Sequence, residues 1–213
     1  MPTQLDAKTL SLAVAPALQR WIHEKYEPFL QRSSPGQLTD EWFRWFLGQW
    51  NVARTIRTGS REPVRHYLDV EFRQAVVGES FPSAVDDATT HIQRQRWSAK
   101  GRRPISLVSK IGFFLRPSKF VPMDQYAFAG LNAMRHLSGK SNLKGQLYRD
   151  YLQAFDDEYT AVETQLRDVL RQDWVVTFAN KLGCPATVLN STALHRKLFD
   201  NYLMRTGGYV PSW

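Results

Sequence analysis

Apolar residues recur at three- and four-residue intervals along nearly the whole chain, and nowhere does two-residue alternation bounded by hairpin turns appear. That periodicity confines the 213 residues to an all-α fold. Leu10, Val14, Leu18, Trp21 and Ile22 form one stripe, bent at Pro16, and a Ser-Ser-Pro-Gly turn over 33–36 closes the first hairpin. Thr39 reads as the N-cap of a helix over 40–55 whose aromatic residues cover more than one face, which makes it central. Further helices are expected over 64–77 behind Pro63, over 85–97, and behind Pro104 after a basic loop at 98–104. Asp124 caps a helix reaching 137, a long helical pattern runs over 143–173, and a last helix over 191–204 stops at Gly207-Gly208. Within the long pattern, Asp156, Asp157, Glu158 and Glu163 are expected on the solvated face. The length suits one well-buried core or two small lobes, and no linker or repeat divides it. The expectation is a single compact, multi-helix domain over 1–213, in which any two lobes are interleaved.

The single cysteine, Cys184, precludes an intramolecular disulfide or a Cys-based zinc site. The five histidines are scattered without metal-ligand spacing, and no glycine-rich phosphate loop is present, so neither a metal nor another cofactor is expected. Asp86-Asp87 and Asp156-Asp157-Glu158 read as helix-terminal or solvated acids rather than nuclease carboxylates. The N-terminal residues lack a secretory pattern and no apolar run approaches membrane-spanning length, so a cytoplasmic protein without a membrane partner is expected.

Charge is the least even property of the chain. From 88 to 123 there are thirty-six consecutive residues without a carboxylate, while eight are Lys or Arg, an excess equal to the net charge of +8. Arg54, Arg57, Arg61 and Arg65 make a second basic cluster. Clustering of this kind points to a polyanion, and nucleic acid is the commonest one for a protein of this size.

Inside the acid-free stretch, Lys110 lies on an apolar helix with Leu107, Val108, Ile111, Phe114 and Leu115 as packing positions. Burial and surrounding cations would lower its pKa and make it a usable amine nucleophile, whereas snorkelling to solvent would leave it an ordinary lysine. Fourteen residues later Asp124 follows Val121-Pro122-Met123, where it serves either as a plain helix cap or as a cap that also does chemistry.

Ser109-Lys110, then Phe113-Phe114-Leu115-Arg116-Pro117, then Phe120-Val121-Pro122-Met123-Asp124 resembles the catalytic segment of the helix-hairpin-helix DNA glycosylases, in their 8-oxoguanine-glycosylase-fold branch. The resemblance covers roughly 100–135 and departs from the family in two ways. The Leu-Pro-Gly-Val-Gly type hairpin is replaced by a basic loop with one glycine, and the lysine-to-aspartate spacing is about one helical turn shorter.

It implies a helix-hairpin-helix glycosylase-like fold, no cofactor, and duplex DNA carrying a modified or damaged base as partner, with a monomer the simplest expectation. It further implies Lys110 as nucleophile and Asp124 as the group that activates it or stabilises the developing sugar cation. Lys100, Arg102, Arg103, Arg116, Lys119 and Ser109 are the expected DNA contacts, and Trp97, Gln125 and Tyr126 the candidates for a base pocket. The rival expectation is a DNA-binding protein without catalysis, a regulator or a component of a repair or defence complex. An RNA-binding helical protein is a third.

Overall fold

A computed structural model describes residues 4–21, 38–77, 81–145 and 147–209. Ile22, the 33–36 turn and the 78–80 segment lie outside these residues. Among those described the fold is all-α: there is no strand, and the only β-type pairing is an isolated antiparallel bridge between Ile56 and Ser98. No helix is long and apolar enough to cross a membrane. The chain divides into two compact units, and each takes residues from separate parts of the sequence. Unit 1 comprises 1–28, 124–146 and 150–213, and unit 2 comprises 29–123 with 147–149.

In unit 1 the elements are α1 (Ala7–Gln19), α7 (Gln125–Leu137), the greater part of α8 (Tyr148–Leu170), α9 (Asp173–Lys181), α10 (Ala186–Leu189) and α11 (Thr192–Thr206). The last helix is the centre of this unit, buried continuously from Leu194 to Leu203. It crosses α7 at backbone contact: a Cβ on Gly130 would lie 1.9 Å from the carbonyl oxygen of Leu203. The 143–173 pattern begins only at Tyr148 and breaks at Leu170, and the short helices α9 and α10 are additions to the sequence reading.

Glu158 overturns the expectation of a solvated acidic face. It is fully buried, at a position seven residues from Tyr151 and hence on the core stripe, and it accepts from Lys140 at 2.7 Å with Arg135 at 3.9 Å. Asp156 pairs with Arg196, whose guanidinium lies over the Phe155 and Tyr159 rings. Lys197 and Asp200 form a further buried pair within α11.

Unit 2 contains α2 (Asp40–Gln49), α3 (Arg61–Tyr67) continuing through a π-turn (Leu68–Phe72) into α4 (Arg73–Val77), α5 (Phe81–Arg94) and α6 (Ile105–Leu115). Helix α2 stops six residues before the expected 55. Asn51 adopts φ +52°, its amide donates to Gly48, and the Val52 amide donates to Leu47, the two bonds of a Schellman stop. The end of α5 repeats the arrangement: Arg96 has φ +58°, its amide donates to Gln93, and the Trp97 amide donates to Ile92.

Candidate functional site

Helix α6 has almost no solvent face. Every residue from Leu107 to Phe114 is buried, so the polar side chains it carries must find partners inside unit 2. Lys110 is only 8 % exposed. Its Nζ donates to the Trp50 carbonyl at 3.3 Å and stands 5.6 Å from the centre of the Trp50 ring. Trp50 is at the end of α2, so the Schellman stop that shortens that helix also places the carbonyl facing the ammonium. Phe114 meets the same indole edge-on at 5.2 Å, giving Lys110 an aromatic, poorly hydrated setting. Trp50 was not among the candidate residues, because the contact spans sixty positions and leaves no local trace.

Ser109, expected at the DNA surface, is fully buried. Its hydroxyl accepts from the Met123 amide at 3.0 Å and so ties α6 to the segment that follows it. The Tyr148 hydroxyl holds that segment from the other side, accepting from the Val121 amide at 3.0 Å and donating to the Val121 carbonyl at 2.9 Å. Phe120 occupies the space over Gly112, where a Cβ would lie 2.8 Å from the ring. The backbone from Phe120 to Met123 is therefore held at both edges.

Asp124 opens unit 1 as the N-cap of α7, as expected. Its Oδ1 accepts from the Tyr126 amide at 3.0 Å and the Ala127 amide at 2.9 Å. Gln125 and Tyr126 are exposed on the first turn, with Tyr126 tilted against Tyr209 at 5.5 Å. Trp97 belongs to unit 2 and is half-buried, packed against His91 and Tyr67, which stack face to face at 4.2 Å. Burial, reinforced by Glu71 and Asp87, pushes the Tyr67 phenol up to about 12.

The expected DNA-contacting cations separate into two groups. Arg103 is committed internally, bonding to Asp86 at 2.8 Å and to Thr89 at 2.9 Å, and Arg116 donates to the Val76 carbonyl at 2.7 Å. Lys100, Arg102 and Lys119 are exposed. Asp86 is a hub rather than a surface acid: besides Arg103, its two oxygens accept from the Tyr148 and Arg149 amides at 2.9 and 3.0 Å, capping the start of α8.

Among the described residues no group of His, Cys, Asp and Glu is placed to hold a metal ion. Unit 1 holds a cavity of about 400 Å³ lined by Arg167, Arg171, Asn190, Thr192 and His195 with Leu170, Val176 and Leu189. Burial lowers the pKa of His195 there, and its Nε2 lies 3.1 Å from the Leu189 carbonyl. The chain matches no protein-family model, no curated protein and no solved structure.

Proposed function

We propose that the protein is a DNA glycosylase that flips and excises a modified or damaged base, in repair or in defence against phage, with Lys110 as the amine nucleophile. The observation that carries the reading is the seating of Lys110: the lysine of the glycosylase-like motif sits on a helix with almost no solvent face, against an indole. Burial takes its ammonium largely out of water, with the Trp50 carbonyl at 3.3 Å among its contacts, and loss of hydration is the physical route by which a lysine becomes a usable amine. In this scheme the Nζ lone pair forms a bond to the sugar C1′ and the glycosidic electron pair leaves with the base. The bound nitrogen then loses a proton, and the sugar ring opens to a Schiff base as its ring oxygen takes one up. Asp124 is assigned proton acceptance or stabilisation of the sugar cation from the sequence resemblance, since its cap bonds use Oδ1.

The second reading is a DNA-binding protein without catalysis. It is favoured by the same contacts seen as structure: Lys110 has an internal acceptor, and Asp124 already serves as a cap.

Borohydride trapping on duplexes carrying a panel of modified bases separates the two, with Lys110→Gln alongside, a variant that keeps a donor toward Trp50. The expected result is an adduct on one substrate that the variant loses while still binding DNA. Released base without an adduct would place the chemistry on Asp124, to be checked with Asp124→Asn. DNA binding with no adduct and no base release across the panel would favour the binding protein.

A further inference from the structure

The cations of unit 2 are not paired at random. Arg44, Arg65, Arg73 and Arg103 each bond a carboxylate, of Asp40, Glu62, Asp69 and Asp86 respectively, and Arg116 and Lys110 donate to backbone carbonyls. Six exposed cations have no carboxylate within ion-pair distance among the described residues of this unit: Arg54, Arg57, Arg94, Arg96, Lys100 and Arg102. They fall on two segments forty residues apart in sequence, and the fold brings those segments together. Ile56 and Ser98 form the antiparallel bridge, both buried, and the Arg57 amide donates to the Trp97 carbonyl at 2.9 Å. In that register Arg57 and Trp97 are the adjacent cross-strand pair. Alternation puts their side chains on the face opposite Ile56 and Ser98, which is the outward one.

Backbone strain falls on the same place. Arg96 has φ +58° and Lys100 has φ +56°, a conformation that glycine adopts without penalty and that long side chains rarely adopt. The equivalent stops after α7 and α9 use glycine, at Gly139 with φ +71° and Gly183 with φ +68°. At 96 and 100 the chain instead carries cations, at two positions where structure alone would favour glycine. What those residues add over glycine is charge and reach.

We infer that the stapled segments form one contact site for the sugar–phosphate backbone of duplex DNA, in which Arg54 and Arg57 act together with Arg96, Lys100 and Arg102. The inference rests on the DNA reading above, though not on its chemistry, and it adds Arg54, Arg57 and Arg96 to the interface. The Tyr67 phenol beneath Trp97 stays uncharged until about pH 12 and so brings no anion to the surface. Trp97 offers the half-buried ring of the site to whatever lies beside the phosphates.

The test is the salt dependence of binding to an undamaged duplex, for the full chain, Arg54→Ala/Arg57→Ala, Arg96→Gly/Lys100→Gly and Arg44→Ala. Each lost phosphate contact lowers the slope of log K against log salt by about 0.9, so each double variant should lose close to 1.8 and bind on the order of tenfold more weakly. Arg44→Ala removes a cation from the same unit and should leave the slope unchanged. Arg96→Gly/Lys100→Gly should also melt no lower than the parent, so that lost binding with retained stability excludes misfolding. Double variants with the slope of Arg44→Ala would overturn the inference while leaving base excision by Lys110 intact. Displacement of the DNA by less duplex RNA than duplex DNA would overturn the choice of partner. A parent protein that binds neither would overturn the inference and the DNA reading together. Trapping that fails while the slopes fall as expected would remove the enzyme and leave this surface standing.

Discussion

Asp86→Asn tests whether unit 2 depends on a single carboxylate. Asp86 is 8 % exposed and accepts three bonds: from the Tyr148 amide and Arg103 on Oδ1, and from the Arg149 amide on Oδ2. Asparagine keeps one oxygen, so the Tyr148 and Arg103 bonds to Oδ1 can still be made without the charge, but its amide N–H₂ must then face the Arg149 N–H donor. Losing a hydrogen bond to a charged acceptor costs about 1.5–3 kcal/mol. Arg103 is 26 % exposed, so its lost ion pair adds only about 0.5–1 kcal/mol after solvent screening. The total is about 2–4 kcal/mol, equivalent to roughly 4–16 °C for a chain of this size. Tryptophan fluorescence during denaturation reports on it, since Trp42, Trp45, Trp50 and Trp97 belong to unit 2. The neighbouring exposed Asp87→Asn should stay within about 0.5 kcal/mol of the parent. Two variants of equal stability would refute the hub.

Gly130→Ala should lower stability by about 3 kcal/mol or more, because its Cβ would meet the Leu203 carbonyl of a central helix. Gly48→Ala, with open space around it, should raise stability by about 0.5 kcal/mol in the same melts. Tyr67 and Tyr159 are both pushed up to about 12 by burial, against 10.0 for the free phenol. The unfolded chain therefore gives up these protons first, and stability should fall as pH rises from 10 to 12, with phenolate absorbance delayed relative to denatured protein. Lys140→Ala should cost about 2 kcal/mol by leaving the Glu158 charge buried beside a more distant Arg135. Lys140→Ala/Glu158→Leu should recover most of that loss in urea unfolding. Arg96→Gly alone should gain up to about 1 kcal/mol in thermal melts by relieving its positive φ, and a loss would show that its side chain packs.

Sequence alone determined the helical class and the helix starts at Thr39, Asp124 and Ser191. A cap is a bond between neighbours two or three residues apart, and all three side chains make it. The apolar stripe of α8 was equally legible, apart from Glu158, whose charge concealed a core position. Helix stops were less so. Asn51 is a recognisable left-handed stop in hindsight, but nothing local marks Arg96 as one, because its conformation is set by the amide bonds that close α5. Lys110 and Asp124 could be singled out from the sequence and their separate environments could not. The Trp50 carbonyl at Lys110, the Asp86 acceptor for Arg103 and the Ile56–Ser98 bridge join residues that the chain keeps apart. Tertiary structure decided which cations are neutralised inside and which are left exposed, since ion pairing depends on distance in space, over which the linear order of charges has no control.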